Sequence, residues 1–185
     1  YIIADEPYRE LVYDGVEVPF IPNIYRDTIV CYSFSKSLSL PGERLGYVLV
    51  PKQVTDADAV YAATAGAGRS QGYVNAPSLF QRVAAECCDL TADIGVYERN
   101  CALLTDALRE MGYQVVQPGG AFYLFPRSLE PDDMAFSERA KKFDLLLVPG
   151  SGFGAPGHFR IAYCVQTEMI ERALPRFKAL ADSYQ

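Results

Sequence analysis

Nowhere does the sequence hold an apolar run of the roughly 18 residues that a membrane-spanning helix needs, and no basic head precedes an apolar stretch. Neither a membrane span nor a secretory signal is therefore expected. None of the five cysteines stands in a C-x-x-C spacing, and their odd number argues against a disulfide framework or a thiolate metal site. Cys31, Cys101 and Cys164 sit inside apolar segments, so the cysteines read as buried thiols of a reducing compartment, which makes the cytoplasm the expected location and no metal the expectation. Basic residues are in deficit, 17 Lys and Arg against 23 Asp and Glu, and the net charge of −6 argues against a nucleic-acid partner. Internal repeats and low-complexity segments are absent. What is present is ordinary for a soluble globular chain: 50% hydrophobic and 22% charged residues, over a length of one domain or one and a half.

The pattern along the chain changes character near its middle. "YIIA" (1–4), "TIVCYS" (28–33) and "GYVLV" (46–50) are short apolar runs that stop at turn-forming residues, as strands inside an α/β sheet do. "QVTDADAVYAATAGA" is helical but carries Gly66 and Gly68, where fraying is expected; "VNAPSLFQRVAAECCDL" opens with Asn75 as the expected N-cap and Pro77 in the first turn. A long helix over about 91–111 places Tyr97, Cys101, Leu104, Leu108 and Met111 on one face, with Thr91 or Asp93 to cap it and Gly112 to end it. Beyond it, "YQVVQP" and "AFYLF" read as strands hinged on Pro118-Gly119-Gly120. A short amphipathic helix, two more strands ("DLLLVPG", "FRIAYC") and a closing helix weakened at Pro175 complete the pattern. The expected organisation is an α/β part over residues 1–96 and a smaller α+β domain over 97–185. Because the chain opens directly on a strand-like run with no methionine, it is expected to be the C-terminal part of something longer.

Asp5 and Lys36 each follow an apolar strand at once, and the ligand crevice of an open α/β sheet lies outside the carboxyl ends of its strands. If the strands run parallel, acid and amine reach one crevice. A partly desolvated lysine has its pKa pulled toward the free amine, the form that attacks a carbonyl. Each residue taken alone reads equally well as structural, Asp5 as a turn cap and Lys36 as a point charge for an anion. Ser33, three residues before Lys36, and Arg44, eight after it, add a hydroxyl and a guanidinium suited to a phosphate. An aldehyde cofactor with a phosphate and a ring nitrogen would use all four groups, and pyridoxal 5'-phosphate is such a cofactor. Arg160 reads either as the partner of a surface acid or, from its place in a rather apolar strand, as a binding group. His158, the single histidine, has no assigned role.

"ADEPYREL", "SFSKSLSLPGERLGY", "NAPSLFQ", "PGGAFYLFP" and "HFRIAYC", in this order, resemble the C-terminal half of a fold-type I pyridoxal-phosphate aminotransferase of class I/II. That resemblance implies a partial large-domain α/β sheet followed by a small α+β C-terminal domain. It implies that Lys36 forms the Schiff base with the cofactor and shuttles a proton, that Asp5 pairs with the pyridine nitrogen and Tyr8 with the phenolic oxygen, and that Ser33 and Arg44 hold the phosphate. Arg160 would bind the substrate α-carboxylate. The complete protein would be a homodimer acting on an amino acid and a 2-oxo acid. Family members also carry a second phosphate-binding loop, a ring-stacking aromatic and an asparagine in their N-terminal half, and this sequence has none of them, so the chain alone is expected to be inactive. Two alternatives share the motifs: a carbon–sulfur lyase or aminocyclopropane-carboxylate-synthase-like enzyme, and a non-catalytic excised domain.

Overall fold

The computed structural model describes residues 1–184. The chain divides into two compact units, Tyr1–Ala92 and Asp93–Gln185. The division falls at the N-cap of the long helix, so that helix belongs whole to the second unit, whereas a boundary at residue 96 would cut it.

In the first unit three strands form one sheet in the order β1 (Ile2–Asp5), β2 (Thr28–Ser33), β3 (Gly46–Leu49). β1 and β2 run parallel with Asp5 opposite Cys31, and β3 runs antiparallel to β2 with Gly46 opposite Ser33. β2, the central strand, buries Val30 at 2% exposure, while Ile3 of β1 is 70% exposed and every residue of β3 is exposed. The runs have the composition of buried strands, but only β2 has a neighbour on each side. Leu11 and Tyr13, in the link from β1 to β2, are buried, as are Leu45 and Val54.

Two helices follow. After the one-turn α1 (Phe34–Ser37), α2 spans Ala57–Ser70 and continues through Gly66 and Gly68. The expected fraying there is not seen: the helix continues to Ser70 and is closed beyond its cap by Gly72, whose φ of +88 lets Tyr73 N donate back to the Gly68 carbonyl at 2.9 Å. α3 (Ser78–Cys87) begins behind Pro77, which takes the N-cap position expected of Asn75. Proline suits a helix start because its missing N–H would have no helical partner there. All five cysteines are free, yet only Cys101 is buried; Cys88 and Cys164 are exposed, so an apolar sequence neighbourhood did not translate into burial.

The second unit opens with α4 (Ile94–Glu110), capped by the Asp93 carboxylate, which accepts from Val96 N. Its stripe buries Cys101, Leu104 and Leu108, and on the same helix the polar Asn100 and Thr105 are buried too. A three-stranded antiparallel sheet has β6 (Phe159–Ala162) at its centre, flanked by β4 (Tyr123–Leu124) and β5 (Val148–Pro149). The strands expected over "YQVVQP" and "DLLLVPG" shrink: residues 113–118 form no ladder beyond Arg127 N donating to the Gln114 carbonyl. Pro118, which has no N–H, and Ala121, at a φ of +60, interrupt any hairpin register. α5 (Asp133–Lys141) is capped by Asp132, and α6 (Thr167–Asp182) carries Pro175 on its exposed side without breaking. Phe136 of α5 lies 4.7 Å from Phe159 of β6, ring centre to ring centre, and Tyr113 meets both Phe159 and Phe177 edge-on. Burial pushes the Tyr113 phenol well above its usual pKa, consistent with its O–H donating to the Phe177 carbonyl. No described helix is long and apolar enough to cross a membrane.

Candidate active site

The chain turns abruptly at the carboxyl end of β2. Ser33 leaves the strand in extended conformation and caps the one-turn helix α1 (Phe34–Ser37); its hydroxyl accepts from Ser35 N and donates to Ser35 Oγ at 2.9 Å. Lys36 rides on this turn, half-buried. Two anchors fix the turn. Ser37 is 2% exposed and accepts a hydrogen bond from the Tyr32 phenol at 2.8 Å, and its carbonyl accepts from Ala92 N at 2.6 Å. Tyr32 in turn stacks on Tyr47 across the β2–β3 ladder, ring centres 5.0 Å apart, and burial pushes its phenol up to a pKa of about 12. That crossing needs glycine at 46, because a Cβ there would sit 2.3 Å from the Tyr32 carbonyl oxygen. The aromatic packing and the serine bonds therefore hold the lysine's backbone rather than its amine.

The parallel pairing of β1 with β2 brings Asp5 to the same end of the sheet, opposite Cys31 and just ahead of the turn bearing Lys36. Glu6 N donates to the Cys31 carbonyl at 2.9 Å, which extends the pairing one residue past the strand. The Asp5 carboxylate is exposed and, among the described residues, takes no ion pair or side-chain hydrogen bond. After Asp5 the chain coils through residues 6–11, braced by the Glu6–Arg9 ion pair at 2.7 Å, and this presents Tyr8 to the lysine: Lys36 Nζ lies 5.8 Å from the centre of the Tyr8 ring. Arg44 is exposed, in the left-handed region at a φ of +53, and spends one nitrogen on the Pro41 carbonyl at 2.7 Å. Asp5, Tyr8, Ser33, Lys36 and Arg44 thus all belong to the first unit, and the structure brings Tyr8 and Lys36 together directly.

Arg160 belongs to the second unit, on β6 opposite Val148. Its guanidinium carbon lies 4.6 Å from the centre of the Tyr123 ring and 4.4 Å from that of Phe153. No described carboxylate pairs with it. Of the two readings of Arg160, a surface acid as partner is not found among the described residues, and aromatic faces stand beside the guanidinium. Neither ring is announced by the sequence, since a cation–π contact between β4, β6 and a glycine-rich turn leaves no local signature.

An amine, a carboxylate and a hydroxyl at the carboxyl end of two parallel strands are placed where open α/β sheets carry their ligand crevices. A family model for aminotransferases of class I and II matches residues 1–177. This chain belongs to that family. It is 33% identical over 188 residues to aromatic-amino-acid aminotransferase 2 of Thermococcus litoralis, covering 96% of this chain and 48% of that protein. Against the aspartate aminotransferase of Geobacillus stearothermophilus the figures are 31% identity, 95% and 47%. Among solved structures, an aminotransferase from Eubacterium rectale superposes with a TM-score of 0.96 at 54% identity, covering 100% of this chain and 46% of that one. The aspartate aminotransferase of Thermotoga maritima superposes with a TM-score of 0.84 at 28% identity. The chain spans about half the length of the relatives it matches. The α/β first unit and the α+β second unit agree with the fold class expected from the motifs, although the two units are of nearly equal length.

Proposed function

We propose that the complete protein moves an amino group between an amino acid and a 2-oxo acid, using pyridoxal 5'-phosphate. The observation that supports this reading is the parallel pairing of β1 with β2, which brings the carboxylate of Asp5 to the same end of the sheet as the turn that bears Lys36. The residues present fit the cofactor group by group. Asp5 offers an acceptor to a ring N–H, Tyr8 offers an O–H to a phenolic oxygen, and Ser33 with the open donors of Arg44 suits a phosphate. Lys36 supplies the amine for an aldehyde.

When bound, the cofactor supplies a protonated ring that accepts the electrons released at the substrate Cα. The rest falls to the protein. Lys36 would hold the cofactor through its amine and, once displaced from it, would move the proton released at the substrate Cα to the cofactor rather than back to Cα. Asp5, as a carboxylate, keeps the proton on the ring nitrogen. Arg160 binds the substrate α-carboxylate through two parallel N–H donors, and this orients the Cα–H bond.

Borohydride reduction of the complete, cofactor-loaded protein followed by peptide mapping tests the reading. The label is expected on Lys36; a label on any other lysine overturns the assignment. An amino acid alone should convert the cofactor to its pyridoxamine form, whereas release of ammonia and a keto acid without an acceptor would indicate a lyase.

A further inference from the structure

The arginine that the proposed function gives to the substrate carboxylate is held on one side by a turn whose own anchor lies elsewhere. Phe153, whose ring lies 4.4 Å from the Arg160 guanidinium carbon, ends a 3-10 turn over Gly150–Phe153. This ring is 49% exposed, so packing alone fixes it weakly. The turn is anchored at its first residue, where Gly150 N donates to the His158 carbonyl at 2.8 Å, and at its second residue by a side chain from elsewhere in the unit. Ser151 donates its backbone N–H to one carboxylate oxygen of Asp133 at 2.7 Å, and its hydroxyl lies 2.6 and 2.7 Å from the two oxygens. Asp133 is only 3% exposed, sits at the first position of α5, and is not the residue that caps the helix; Asp132 does that, accepting from Met134 N and Ala135 N at 3.0 Å. A buried carboxylate that is free of capping duty and aimed at a turn in another part of the unit has a role in that turn. Its hydrogen bonds to Ser151 hold its pKa below the usual aspartate value, so it is anionic at neutral pH.

We propose that Asp133 is a positioning residue for substrate binding, acting through Ser151 and Phe153 on the guanidinium of Arg160. This rests on Arg160 being the carboxylate-binding group. Without the tether, the turn gains freedom, the Phe153 face leaves Arg160, and the arginine samples rotamers that cannot present both N–H donors to one carboxylate. An arginine has several freely rotating bonds, so the entropy lost on binding rises when the pre-ordering is removed. The expected signature is weaker binding of the amino acid with an unchanged chemical step.

The test uses the complete cofactor-loaded enzyme and four variants: Asp133→Asn, Phe153→Leu, Asp132→Ala and Arg160→Lys. Asp133→Asn is expected to raise KM for the amino acid about tenfold, a change worth about 1.4 kcal/mol. Its kcat should stay within about twofold and its cofactor content should be unchanged. Phe153→Leu should do the same, and the double variant should be no worse than either single one, because both act along one path. Asp132→Ala removes the cap of the same helix, lowers stability, and should leave KM alone. Hydrogen exchange gives a readout independent of activity: peptides covering 150–154 should exchange faster in Asp133→Asn and not in Asp132→Ala. Equal KM effects from Asp132→Ala and Asp133→Asn, or an additive double variant, would overturn the proposal. If Arg160→Lys leaves KM unchanged, the carboxylate role itself fails. If Arg160→Lys raises KM and Asp133→Asn does not, only the positioning role fails.

Discussion

Replacing Asn100 by leucine should cost the second unit more stability than any surface change of similar size. Asn100 is 0% exposed on α4, and its amide ties the helix to the stretch between β6 and α6. Nδ2 donates to the Tyr163 carbonyl at 3.1 Å and to the Val165 carbonyl at 2.8 Å, while Oδ1 accepts from the Thr167 hydroxyl at 2.8 Å. Leucine fills nearly the same volume, so the cavity contribution is small and the effect isolates the polar groups. Two carbonyls and a hydroxyl lose their partner. An orphaned buried polar group costs about 1–3 kcal/mol, and the carbonyl of the fully buried Tyr163 belongs at the upper end. Water can reach the other two in part, so the sum is about 2–5 kcal/mol. In a unit of 60–100 residues one kcal/mol shifts Tm by about 4–8 °C, which places the loss on the order of 10 °C or more. Circular dichroism melts, with hydrogen exchange assigning the transition to peptides beyond residue 93, measure it. Asn100→Asp should be worse at neutral pH, since a carboxylate would face two carbonyl oxygens, and should recover in part on acidification. A leucine variant within about 0.5 kcal/mol of the parent would show that these bonds do not join α4 to the sheet.

Gly46→Ala should weaken the first unit by several kcal/mol, because its Cβ would meet the Tyr32 carbonyl at 2.3 Å and either strand must give way. Faster hydrogen exchange at Tyr32 and Tyr47 reads the separation, and an unchanged exchange rate would contradict the close approach. Acid should loosen both units. Asp27 is held below its usual pKa chiefly by the Thr55 backbone N–H and Asp133 chiefly by the Ser151 hydroxyl. For a carboxylate with a lowered folded-state pKa, the stabilisation is complete above the unfolded value and is lost as pH falls through the folded one. Asp133→Asn should therefore flatten the acid end of the second unit's stability curve, and a curve parallel to the parent's would refute the assignment.

The sequence disclosed those parts of the fold whose causes are local. β2 and the lysine that follows it are legible because an apolar run stops at a serine-flanked lysine within a few residues, whereas the cap that Ser33 supplies to the turn was not among the expectations. The stripe of α4 is legible for the same reason. The two-residue strands β4 and β5 were overestimated, because apolar runs such as "DLLLVPG" satisfy a strand pattern whether or not a partner lies alongside. Leu146 in that run is 85% exposed. Asn100 and Asp133 were illegible as anchors. Asn100 bonds to residues more than sixty positions away, and Asp133 stands next to an aspartate that does cap its helix, so nothing local separates the two. The same holds for the surroundings of Arg160, where two rings from distant segments stand against the guanidinium and no local pattern announces them.

That choice of neighbour affects how the second unit responds to its surroundings. An arginine held by a carboxylate is already neutralised, is released when salt screens the pair, and loses its hold when the acid is protonated. Phe153 has no proton to lose, and short-range contact with an aromatic face weakens far less with ionic strength than an exposed ion pair does. Arg160 therefore keeps its full charge available to an incoming anion, and its posture should be nearly constant from dilute buffer to high salt. Any salt dependence of the anion binding proposed for Arg160 would then arise from the anion and the field around it, whereas a pH dependence would enter at the acid end through Asp133, which tethers the turn that carries Phe153.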